Sequence, residues 1–198
     1  DNGLNCSNYS YTASWLTDSN GNQEVDMASK DTLINFLLWA KGRYSASHTM
    51  LIICDHGAGP VALPLSSRAV CQDHTSAKAG QMIMSNEMPA VFKTAGYGPD
   101  AKLDVLFMDT CLEGSLEEAY EVKDYASYYA ASANTSNAGG FREDDLLTYF
   151  TKDAAPEAVG KAVVKVYKDT MRSSGNAATA EEWKAFKTYL DKANITEL

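Results

Sequence analysis

Two short, wholly apolar runs constrain the fold of this chain more than any other feature: Met50-Leu-Ile-Ile-Cys54, and Val105-Leu-Phe-Met108 following Asp104. Each is long enough for a strand and too short for a self-standing helix. Neither alternates apolar with polar residues, so each reads as a strand covered on both faces, as in a parallel sheet. A third strand is expected over Tyr128–Ser132, and a further one over Tyr9–Leu16. Between and beyond these the spacing is helical. Lys30–Tyr44 carries Leu33, Phe36, Leu37, Ala40 and Tyr44 on one predicted buried face. Ser85–Ala95 follows, with Ser85 as its cap and Pro89 in its first turn. Ser115–Ala126, Asp144–Phe150, Pro156–Met171 and Ala180–Ala193 complete the helical set. Strands alternating with helices predict an α/β fold: a mostly parallel sheet sandwiched between helices in three layers. At 198 residues the chain is one domain in size. Its core is expected over residues 1–175, with 176–198 as a C-terminal helical extension of the same domain.

In parallel α/β sheets functional groups collect at the carboxyl ends of the strands. The first run ends in Asp55-His56-Gly57-Ala58-Gly59, and the second in Asp109-Thr110-Cys111-Leu112-Glu113-Gly114. Neighbouring parallel strands would bring His56 and Cys111 to the same edge. A cysteine attacks a carbonyl as its thiolate, and its free pKa of about 8.5 leaves little of that form at neutral pH. An imidazole within reach accepts the proton and later returns it to the leaving amine. The positive end of the helix beginning near Gly114 favours the thiolate further. Gly57 meets a second need. The tetrahedral intermediate requires backbone N–H donors, and a glycine lets a peptide come close; the Gly57 and Cys111 amides are the natural oxyanion pair. A cysteine or a His-Gly turn after a strand is more often structural than catalytic when met alone. The joint pattern carries the argument, with His56 preceding Cys111 by a little over the roughly 50 residues found in caspases. Cys54, inside its apolar run, is assigned to the core.

Composition narrows the partners. A net charge of -9 disfavours nucleic acid. No apolar stretch approaches the roughly 20 residues of a membrane-spanning helix. The cysteines at 6, 54, 71 and 111 include no C-x-x-C pair and there are three histidines, so no metal centre is expected. A Cys6–Cys71 disulfide is conceivable, but the spacing does not require it. Calcium is the one ion the acidic Asp18–Asp26 loop would suit, yet the loop lacks EF-hand spacing and reads first as a solvated loop.

The segments Leu51–Gly59 and Asp104–Ala126 resemble the clostripain family of cysteine peptidases, within the caspase–gingipain–legumain group. The weaker similarity runs from the Lys30–Tyr44 helix to about Met171. This resemblance implies a caspase-like fold and an endopeptidase cutting after Arg or Lys through a thioester acyl-enzyme. It gives His56 and Cys111 the roles of dyad and Asp109 that of the acid in the pocket for the substrate's basic side chain (S1). A bland alternative for Asp109 is a capping carboxylate at the following helix. The resemblance further implies protein or peptide substrates, maturation by self-cleavage and a secreted or envelope location in a bacterium. The family core has an earlier strand and helix, so a companion chain or N-terminal segment is expected to complete the sheet. The chain departs from the family after the third strand, where Ala133-Asn134-Thr135-Ser136 replaces acidic residues and no second pocket acid appears among Asn137, Gly139 and Gly140; Glu143, Asp144 and Asp145 lie nearby, with no place the sequence can assign them. That departure motivates a competing expectation, a catalytically weak or inactive peptidase-like binding or scaffold protein, and leaves open an Asn- or Asp-directed specificity like that of legumains and caspases.

Overall fold

The computed structural model describes residues 25–59, 69–73, 82–136 and 141–173. Tyr9–Leu16, Cys6, the Asp18–Glu24 stretch, His74 and the 176–198 extension lie outside them. Three parallel strands form the central sheet: β1 (Met50–Cys54), β4 (Leu103–Asp109) and β5 (Ala126–Ala131), in the spatial order β1-β4-β5. The helices are α1 (Lys30–Arg43), α2 (Met88–Thr94), α3 (Leu116–Val122), α4 (Glu143–Leu147) and α5 (Pro156–Ser173).

Side chains of the strands feed two separate cores, one on each face. Leu51, Ile53, Leu106 and Met108 join Leu37, Val91, Phe92 and Val122 on one side. Met50, Ile52 and Phe107 join Phe141, Leu146, Ala162, Val163 and Val166 on the other. Successive side chains of a strand point to opposite faces, so an unbroken apolar run is what a sheet covered twice requires. The three-layer expectation is met. No described helix is long and apolar enough to cross a membrane.

Four local expectations change. The described residues hold a short antiparallel ribbon, β2 (Ala69–Val70) with β3 (Ile83–Met84), that the sequence pattern did not reveal. Two-residue strands leave no periodicity to detect. Helix α1 turns a different face inward: Leu37 is buried with Leu33 and Ile34 packed beside it, while Phe36 and Tyr44 are exposed. Apolar residues surround this helix, so spacing alone could not select the face. Lys41 fixes it against the end of α2 by donating to the carbonyls of Ala95 and Gly96, at 3.1 and 2.9 Å. Ser85 is buried and its hydroxyl caps nothing. The Glu87 carboxylate does that work, accepting from the Met84 amide at 3.1 Å. Cys54 is not in the core: as the last residue of β1 it is exposed, because the alternation that buries Leu51 and Ile53 passes it over.

Candidate functional site

Register decides what meets at the carboxyl edge of the sheet. Cys54 pairs with Asp109 at the last rung between β1 and β4. His56 and Cys111 each lie two residues beyond that rung, on the tips of adjacent parallel strands. The two loops touch. A Cβ built on Gly57 would stand 2.8 Å from Thr110 Cβ and closer still to the Cys111 carbonyl oxygen, so only a glycine fits there. His56 is exposed and Cys111 partly exposed. Neither is sealed from a substrate.

The two loops are also tied through side chains and backbone. Gly59 has a left-handed φ of 63°, and its amide donates to Glu113 Oε1 at 3.0 Å. The Ala58 amide donates to the Ala69 carbonyl at 3.0 Å. The ribbon thereby braces the loop that carries His56. Leu112 follows Cys111 with a φ of 64°, a conformation that costs a leucine roughly 1–2 kcal/mol. The loop after β5 holds this turn in place: Leu112 N donates to Asn134 O at 3.1 Å, and Gly114 N to Ser132 O at 2.8 Å. From the same loop, the Ser136 amide donates to Cys111 Sγ at 3.2 Å and the Ser136 hydroxyl to Thr110 O at 2.8 Å. Helix α3, by contrast, begins at Leu116, five residues past Cys111, and its dipole fades within its first turn. The Ser136 amide, and not that helix end, is what contacts the sulfur.

Asp109 does not cap α3. Ser115 is the cap, its Oγ accepting from Glu118 N at 3.2 Å. Asp109 instead accepts from Cys54 Sγ at 3.4 Å, and Glu143, the first residue of α4, brings a second carboxylate to it. One ligand atom from each of Cys54, Asp109 and Glu143 lies within 4.8 Å of the others. Burial raises the Asp109 carboxyl above its usual range, and the Glu143 charge raises it further. Burial also pushes the Cys54 thiol up to about 11, with the Asp109 charge adding to it. Among the described residues neither carboxylate has an ion-pair partner. The two carboxylates form a small acidic cluster that a cation would neutralise. Among the described residues its three donors fall one short of the four that a structural zinc takes. Sequence reasoning names Glu143 near the expected pocket loop but cannot place it, because it sits more than thirty residues beyond Asp109 and reaches it only when α4 folds back. Cys71 is a free, partly buried thiol, pushed up to about 12 chiefly by burial.

Glu113 is the other residue that spacing could not reveal. It is 1% exposed, and burial lifts its carboxyl to about 7; the Gly59 amide opposes the rise and the Glu118 charge adds to it. The folded chain thus holds this proton more tightly than the unfolded chain, whose carboxyl titrates near 4.5. Stability from this group is complete below about pH 4.5 and is lost as pH climbs to about 7, a change on the order of 3 kcal/mol. Urea unfolding at pH 5 and pH 8 is expected to show that loss in the wild type and much less of it in Glu113→Gln.

The chain matches the model of the clostripain family, peptidase C11, over residues 15–185. Three solved structures share the fold. One is a secreted C11 cysteine protease from Bacteroides thetaiotaomicron bound to an irreversible peptide inhibitor: TM-score 0.56, 17% identity, covering 72% of this chain and 37% of that one. The second is an inactive zymogen of a C11 protease from Parabacteroides distasonis: TM-score 0.56, 20% identity, covering 79% and 39%. The third, a secreted C11 cysteine protease of Bacteroides thetaiotaomicron called iotapain, gives a TM-score of 0.51 at 17% identity, covering 67% and 38%. The chain therefore spans well under half the length of each. No curated protein matches it significantly.

Proposed function

Because this chain belongs to the clostripain family, we propose that it supplies the reactive centre of a cysteine endopeptidase cutting after Arg or Lys. Cys111 Sγ attacks the scissile carbonyl while His56 takes the thiol proton. The oxyanion is held by the Gly57 and Cys111 amides. Collapse expels the amine, which His56 protonates, and leaves a thioester on Cys111. Water, deprotonated by His56, then attacks the thioester, releasing the acid and regenerating the thiol.

The observation that carries this reading is the Cys54–Asp109 rung, which sends both loops out side by side with Gly57 against Cys111. Basic specificity rests on Asp109 and Glu143, whose charges lack a cation among the described residues. A guanidinium or ammonium entering there forms charge-assisted hydrogen bonds that a neutral side chain cannot. Open edges on β1 and β5 among the described residues support a further strand from a companion segment. Self-cleavage during maturation and secretion are part of the same proposal.

An Arg- or Lys-chloromethylketone should leave one covalent adduct, mapped by peptide mass spectrometry to Cys111. In Asp109→Asn, kcat/KM for Arg and Lys substrates should fall by about 100-fold, the worth of a charged hydrogen bond of nearly 3 kcal/mol. Turnover of a peptide library with neutral residues before the scissile bond should change little. An equal fall across the whole library would assign Asp109 to catalysis or folding instead of recognition.

A further inference from the structure

Glu113 is an acid buried beside the reactive loops, and the proposed chemistry gives it no proton to move. Its surroundings define its work. The carboxylate sits on the turn after Cys111 and accepts from the Gly59 amide at 3.0 Å, from the loop after His56. Its backbone carbonyl accepts from the Tyr129 hydroxyl of β5 at 2.9 Å, so the residue is anchored at both ends. Gly59 would collide with Leu112 if it had a side chain, its Cβ falling 2.6 Å from Leu112 Cβ. The two loops therefore close on each other with almost no slack, and the carboxylate is the polar pin between them. A glutamate at this depth costs several kcal/mol unless it gains bonds in return. Here the bonds go to the segment whose placement sets where His56 stands relative to Cys111.

We propose that Glu113 is a positioning residue that clamps the His56 loop onto the Cys111 turn and thereby sets the geometry of the dyad. The proposal rests on the peptidase reading for its effect on turnover, but not for the clamp itself. Among the described residues the titratable side chains that interact with its carboxylate are Glu118 from α3 and Tyr129 from β5, and neither touches the scissile bond in the proposed chemistry.

The test compares Glu113→Met, which keeps the volume and removes the acceptor, with Glu113→Gln, which keeps an acceptor oxygen and removes the charge. Three quantities are read at a temperature where all variants are folded by circular dichroism. The first is hydrogen exchange at the Gly59 amide, which donates to the carboxylate, read against the Ala58 amide, which donates to Ala69. The second is the rate at which iodoacetamide alkylates Cys111. The third is kcat and KM on a basic fluorogenic substrate. Glu113→Met is expected to lose amide protection, to slow alkylation and to lower kcat by about 100-fold with KM unchanged, because a displacement near 1 Å costs that much. Glu113→Gln is expected to restore most of all three. Intact protection in Glu113→Met would overturn the clamp. Lost protection with unchanged alkylation would overturn its role in positioning. Should the wild type cleave nothing, the peptidase reading fails, while exchange and alkylation still decide the clamp. If Glu113→Met does not fold, Glu113→Asp, which withdraws the carboxylate by one methylene, is read in the same way.

Discussion

Cys111→Ala is expected to abolish peptide hydrolysis, and His56→Ala to lower kcat by about 100- to 10,000-fold. The difference between the two follows from their parts in the proposed reaction. Without sulfur no thioester can form, whereas without imidazole the nucleophile survives in its small ionised fraction. The Gly57 amide and the acidic cluster at Asp109 remain in both variants, so KM should move little. Fluorogenic peptides with Arg or Lys before the cleaved bond provide the assay, and thermal unfolding confirms that both variants fold. Both side chains are partly or wholly exposed, so large stability losses are not expected. A wild type that turns over no peptide, with Cys111 alkylated no faster than the half-buried Cys71, would favour the binding or scaffold protein over the enzyme.

Gly57→Ala is expected to be nearly as damaging without removing any reactive group. Its Cβ would stand 2.8 Å from Thr110 Cβ and 3.0 Å from Thr110 Oγ1, and closer to the Cys111 carbonyl. Backbone and a buried side chain cannot swing aside, so the loop tips must part. Overpacking of this kind costs about 1–3 kcal/mol. The greater effect is on rate, since parting the tips moves His56 from Cys111 and tilts an oxyanion donor; a fall in kcat of at least about 100-fold should follow. Gly42→Ala is the control. A Cβ at Gly42 meets nothing within 4 Å, and within helix α1 alanine should raise stability by about 1 kcal/mol. Wild-type turnover in Gly57→Ala would remove the close loop contact from the account.

The parts legible in the sequence were those governed by continuous burial. Met50–Cys54 appears as β1 without a change of boundary, and Asp104–Met108 grows by one residue at each end to become β4. Apolar runs of this kind have no stable alternative to a sheet covered on both faces. The expected Tyr128–Ser132 strand starts two residues earlier, at Ala126, because β5 takes its bounds from its pairing with β4. What was illegible depended on partners distant in the chain. A glutamate inside a glycine-bearing turn reads as solvated; nothing nearby signals that Gly59 will cover Glu113. Glu143 looks like part of an acidic helix start until α4 returns to Asp109. Cys54 misled for the opposite reason: its neighbours are apolar, but the strand ends on it and the pleat turns it outward.

The left-handed backbone at Leu112 bears on the order in which this protein takes shape. A leucine does not adopt that conformation unaided, and its holding bonds come from Ser132 and Asn134, synthesised after it and beyond β5. Ser136, the donor to sulfur, arrives later still. A chain whose hydrophobic layers have collapsed but whose 132–136 segment has not docked carries the Cys111 sulfur on a slack turn. The turn after β4 therefore depends for its shape on a segment made later than itself, and cannot set firmly before β5 and the loop beyond it are in place.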